Sequence, residues 1–218
     1  MSVAPAVGVG LVGYGLGGAS FHAPLIATAP GLRLAAIVTG DADRQAQARR
    51  DHPEAQVVPD VERLWDPALG VELVTISTPN RTHAPLALSA LAAGRHVVVD
   101  KPFAPTAAEA ARVVDAARRA ERLVTVYQNR RWDGDFRTLR RLLAEGALGA
   151  PLRFESRFER WRPTPKGDWR ERADPAEAGG LLFDLGSHLV DQAIQLFGPV
   201  RSVYAELGIR RPGAQIDD

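Results

Sequence analysis

There is no cysteine in the 218-residue chain, which excludes disulfides and thiolate metal sites and leaves the redox compartment open. Long apolar runs are missing too, and none reaches the length of a bilayer span. Charge of one sign is scarce: 27 Lys and Arg stand against 26 Asp and Glu. The resulting net charge of +1 implies no general attraction to nucleic acid or to a membrane surface. The apolar N-terminus lacks a basic segment, and its glycines fit a strand and turn better than a signal peptide. His22, His83 and His96 form no pair at metal-ligand spacing with supporting acids, so no metal is expected. With 45% hydrophobic and 24% charged residues, the composition is ordinary for a soluble globular protein, and a cytoplasmic one is expected.

What is present begins with glycine. Val7 to Val12 runs as an apolar strand into Gly13-Tyr14-Gly15-Leu16-Gly17-Gly18, a G-x-G-x-x-G turn that a helix can follow. Glycines at those places serve a tight turn, backbone approach to a pyrophosphate, and close helix–strand packing. Free N–H groups at the start of the helix then favour the phosphates. The pattern alone is weak, but here it follows a strand and opens a βαβ series, so dinucleotide binding is predicted.

The rest of the first part repeats strand and helix. Strands are expected over 32–38, 56–58, 73–77, 96–99 and 123–127. Helices are expected over 20–29, 42–50, 61–65, 82–93 and 107–122. Asp41 and Thr82 are candidate caps, Gly94 a helix stop, and Thr106-x-x-Glu109 a capping box. Six strands alternating with helices predict a doubly wound parallel sheet over residues 1–126. From 127 to 218 the pattern changes. A helix starting at Asp133 or Asp135 carries Leu139, Leu142 and Leu143, and a second helix covers 181–197. Alternation at 152–159 and 200–207 predicts strands with one wet face.

Several residues are candidates for chemistry. Asp100-Lys101-Pro102 lies at the C-terminal end of a strand, where open α/β sheets bind ligands. A lysine there suits a substrate hydroxyl or a negative charge, although a turn-side surface lysine is the plain alternative. Asp184-x-x-x-His188 places an acid and a histidine one helical turn apart, a pair fit to exchange a proton near neutral pH. Thr78-Pro79-Asn80 and His83 follow another strand end and are candidates for the cofactor crevice. Arg130-Arg131-Trp132 is a poor nucleic-acid signal and a candidate for an anionic or polyhydroxy substrate.

Taken in order, Gly13-x-Gly15-x-x-Gly18, Thr78-Pro79-Asn80, His83, Asp100-Lys101-Pro102 and Gly179-Gly180-x-x-x-Asp184-x-Gly186-x-His188-x-x-Asp191 resemble the glucose–fructose oxidoreductase/inositol dehydrogenase/rhizopine catabolism (Gfo/Idh/MocA) family. The resemblance covers essentially the whole chain. It implies an N-terminal Rossmann domain followed by an α/β domain with a mostly antiparallel sheet. It implies hydride transfer between NAD(P) and sugars, cyclitols or related polyhydroxy compounds, with Lys101, Asp184 and His188 as the catalytic set. Asp100 stands where the family commonly has glutamate. Family members also run further, so the chain reads as truncated at its C-terminus, with a partial second domain. A homo-oligomer, dimer or tetramer, is expected if that sheet is complete. The rival reading is a dinucleotide-binding sensor without turnover, and a third is an imine or tetrapyrrole reductase.

The cofactor is predicted to be NADP in preference to NAD. The second strand ends Val38-Thr39-Gly40 with no carboxylate at its tip, where an NAD site usually has one. Thr39 and the Gly40 N–H can donate to a 2′-phosphate and Arg44 can pair with it. Asp41 argues the other way unless it serves only as a helix cap. The predicted cofactor contacts are thus Gly13, Gly15, Leu16, Gly18, Thr39, Gly40, Arg44, Thr78, Pro79, Asn80, His83 and Lys101.

Overall fold

A computed structural model describes residues 5–218, and the chain divides into two compact units, 1–127 and 128–218. In the first, six strands form one sheet: β1 (Val7–Val12), β2 (Leu32–Val38), β3 (Gln56–Val58), β4 (Leu73–Ile76), β5 (His96–Val99) and β6 (Val124–Val126). Their order is β3-β2-β1-β4-β5-β6 and every pairing is parallel. Such a sheet has helices on both faces, which explains why its strands are continuous apolar runs.

α1 (Ala23–Thr28) and α2 (Ala42–Asp51) belong to one face, where Val9, Leu11, Ala23, Ile26, Leu34, Ile37 and Ala48 pack together. α3 (His83–Ala92) and α4 (Ala107–Arg119) cover the other through Ala84, Ala87, Leu91, Val113 and Ala117 against Val74, Ile76, Val97 and Val99. Alanine on α3 lets helix and strand approach closely. Asp41 caps α2 by accepting the Arg44 N–H at 2.9 Å, and the Thr106 hydroxyl accepts the Glu109 N–H at 3.2 Å at the start of α4. Thr82 does not cap α3 through its side chain. Its hydroxyl instead lies 2.6 Å from that of Thr78 and donates to the Pro79 carbonyl at 2.7 Å. The first helix also begins with a π-type turn, Gly18–His22, before α1.

The second unit holds α5 (Gly134–Ala144), a π-type turn at Leu182–Gly186 and α6 (Ser187–Phe197). The expected antiparallel sheet is not found among the described residues: 152–159 and 200–207 contain no strand. The alternating side chains they were to bury stand exposed, Leu152, Val203 and Leu207 among them. Alternation supplies a face, but a strand exists only where a neighbour completes its hydrogen bonds.

Candidate functional site

The site of the first unit grows from the end of β1, at the point in the sheet where connections leave to opposite faces. Gly13 has φ +99°, the left-handed region that a side chain resists, and its N–H donates to the Val38 carbonyl at 2.9 Å. A Cβ on Gly18 would run into the Gly13 carbonyl oxygen, so the turn closes only without one. Gly15 differs. Its nearest neighbour outside the local chain would be Arg44 Nη1, 3.8 Å from an added Cβ. The turn is therefore tight underneath and open above Gly15, with Leu16 exposed beside it.

At the end of β2, Thr39 is buried, its carbonyl accepting from Gln45 Nε2 at 2.8 Å and its N–H donating to Val58 at 3.1 Å. Gly40 is exposed at the tip. Arg44 lies in the first turn of α2 and leans toward Gly15. Thr39, Gly40 and Arg44 thus border the glycine turn, and Asp41 is occupied as a cap.

At the ends of β4 and β5, Thr78 and Pro79 are half-buried and Asn80 is buried. His83 is 1% exposed, with Nδ1 2.7 Å from the Pro102 carbonyl oxygen and Nε2 2.9 Å from that of Thr78. Burial pushes its pKa below the ordinary value despite those carbonyls. Those two contacts tie the loop after β4 to the loop after β5. Lys101 is half-buried and its N–H donates to Asp100 Oδ1 at 2.9 Å. Asp100 Oδ2 accepts from the Ser77 hydroxyl at 3.1 Å and faces His22 Nε2 at 3.5 Å. Burial alone would raise the Asp100 pKa, yet His22 and the Lys101 N–H hold it below the usual carboxylate value. The role of Asp100 and His22 escaped the sequence reading. The available signal was that His22, one turn beyond Gly18, lies on the same helical face.

In the second unit, Asp184 falls in the π-type turn and His188 in the first turn of α6. His188 is buried and Asp184 half-buried, with Oδ1 3.8 Å from Arg170 Nε. Asp184 lines a cavity of about 290 Å³ together with Phe158, Trp161, Arg170 and Leu185. Gly180 has φ +85° and packs against Asp217, whose carboxylate accepts the Leu182 N–H at 2.8 Å. Arg131 gives a two-pronged pair to Asp191 at 2.8 and 2.6 Å, and Arg130 donates to Asp133 at 2.9 Å. Arg131 is therefore already paired with an acid of its own unit. Among the described residues no cluster of His, Cys, Asp or Glu could hold a metal, and no helix is long and apolar enough to cross a membrane.

The architecture has known counterparts. Residues 7–128 match the model of an oxidoreductase family with an NAD-binding Rossmann fold, and 136–218 match the GFO/IDH/MocA C-terminal domain. The chain is 47% identical over 211 residues to the uncharacterized oxidoreductase YdgJ of Escherichia coli (strain K12), covering 96% of this chain and 59% of that protein. It is 38% identical to the scyllo-inositol 2-dehydrogenase (NADP(+)) IolW of Bacillus subtilis (strain 168), covering 96% of this chain and 57% of IolW. Among solved structures, YPO2259 from Yersinia pestis is 48% identical with a TM-score of 0.89, over 99% of this chain and 59% of that one. The chain thus spans less than two thirds of the length of these relatives. It belongs to the GFO/IDH/MocA family of oxidoreductases, and its first unit is that family's NAD-binding Rossmann fold.

Proposed function

We propose that the protein is an NADP-dependent dehydrogenase or reductase acting on a CH–OH group of a cyclitol or sugar. The observation that carries the reading is the glycine turn, closed by Gly13 and Gly18, open at Gly15 and bordered by Arg44. The family assignment and the NADP-dependent inositol dehydrogenase among the relatives support it.

The residues fit a dinucleotide. Gly13, Gly15, Leu16 and Gly18 would receive the pyrophosphate, while Thr39, the Gly40 N–H and Arg44 would take a 2′-phosphate. Asp41 has one carboxylate oxygen engaged by the Arg44 N–H as the cap of α2. Thr78, Pro79 and Asn80 would line the crevice further along. The nicotinamide supplies hydride acceptance or donation. For the chain's own part, Lys101 hydrogen-bonds the reacting oxygen, His188 exchanges its proton, and Asp184 orients that exchange.

A screen of cyclitols and sugars with NADP+ and NAD+, following absorbance of the reduced nicotinamide, tests the proposal. Turnover with at least one polyol, faster with NADP+, is expected. Dinucleotide binding without turnover of any polyol would leave a binding module in its place.

A further inference from the structure

Three loop ends meet at one carboxylate. Asp100 follows β5, Ser77 follows β4, and His22 closes the π-type turn that begins at Gly18. The two oxygens of Asp100 are divided among them. Oδ1 accepts the Lys101 N–H at 2.9 Å, while Oδ2 accepts the Ser77 hydroxyl at 3.1 Å and faces His22 Nε2 at 3.5 Å. Turning the carboxylate to suit one side disturbs the other.

His22 is held close to this carboxylate by its surroundings. Its ring is 3% exposed and rests on Tyr127 with centroids 4.3 Å apart. Nε2 is buried, has no other polar partner among the described residues, and faces Asp100 Oδ2 at 3.5 Å. Burying a ring nitrogen and a carboxylate together is costly unless they satisfy one another. The glycine turn also touches the group directly: a Cβ on Gly17 would come within 2.6 Å of Ser77 Oγ and 3.3 Å of Asp100 Oδ2.

We infer that His22 is a positioning residue for Lys101. Acting through Asp100, it clamps the glycine turn to the end of β5 and so sets the lysine relative to the bound dinucleotide. This rests on the functional reading given above for the glycine turn and Lys101.

Hydrogen exchange of the Lys101 amide tests the clamp without any turnover. His22→Phe keeps a ring on Tyr127 but no donor, and His22→Gln keeps a donor toward Asp100. Exchange at Lys101 should be about tenfold faster in His22→Phe, as for loss of an interaction with a charged group, and largely restored in His22→Gln. Exchange in β1 and β2 should stay as in the wild type. Unchanged exchange at Lys101 in His22→Phe would overturn the inference, as would equal loss of protection across the whole sheet. Asp100→Asn, alone and combined with His22→Phe, gives a second reading, and the double variant should be little worse than either single one. Additive losses would count against the clamp. In turnover assays His22→Phe should lower kcat and leave the KM for NADP+ nearly unchanged. A wild-type protein that binds neither NADP+ nor NAD+ overturns the functional reading, while the exchange comparison still decides the clamp.

Discussion

The carboxylate of Asp41 accepts the backbone N–H of Arg44 at 2.9 Å, so the acid nearest the end of β2 is spent on starting α2. The same bond fixes the turn from which the Arg44 guanidinium reaches toward Gly15. Arg44→Ala should therefore weaken NADP+ binding by roughly 10- to 100-fold, the range for a lost hydrogen bond to a charged group, and leave NAD+ almost unaffected. Titrating both cofactors into both proteins checks this. Tighter NAD+ binding by the wild type, or equal NADP+ affinity in the variant, would reverse the assignment.

Two glycines of one turn should fail in different ways. Gly18→Ala places a methyl against the Gly13 carbonyl and should destabilise the fold by about 1–3 kcal/mol, as overpacking does. Gly15→Ala meets only the flexible end of Arg44, so its melting temperature should hold while dinucleotide affinity drops. Thermal melts beside binding isotherms separate the two. Equal melting of both variants would contradict the geometry.

Lys101→Met keeps length and removes the ammonium. Cofactor affinity should stay close to that of the wild type while turnover falls by about 10²–10⁴, the usual share of a positioned acid–base group. Steady-state rates within a few-fold of each other would end the assignment of Lys101 to the reacting oxygen.

His188→Asn retains a polar side chain but cannot carry the proton. Most of the rate should go, together with the pH dependence of turnover. A pH profile parallel to the wild type would make His188 a structural residue of α6.

His83 predicts a stability change with pH. Burial lowers its pKa in the folded state below the ordinary 6.5, so between those values the unfolded chain holds more protons. Stability is then complete above 6.5 and is lost as pH falls through that value toward the folded one. Denaturant unfolding should show this as a slope of up to about 1.4 kcal/mol per pH unit that His83→Gln lacks. Parallel stability curves for the two proteins would show that the ring does not titrate as placed.

Local chemistry was legible wherever neighbours in sequence decide the outcome. β2, β3 and β5 were bounded by their own apolar runs and turn residues, and Asp41 and Thr106 cap their helices because a cap is a bond across three residues. The three glycines were legible for the same reason, since spacing alone carries the turn. Tertiary structure decided the rest. His83 could be placed on a helix after a strand, but only the approach of the Pro102 and Thr78 carbonyls turned it inward as a brace. The Arg131 triplet read as a candidate for an anionic or polyhydroxy substrate, and nothing in its neighbours foretold the pair with Asp191 on α6. His22 and Asp100 lie far apart in sequence, and no periodicity relates them. Residues 152–159 and 200–207 alternate as strands do, yet contain no strand among the described residues. A helix closes its hydrogen bonds within itself, as α6 does, whereas a strand borrows every one of its own from elsewhere in the chain.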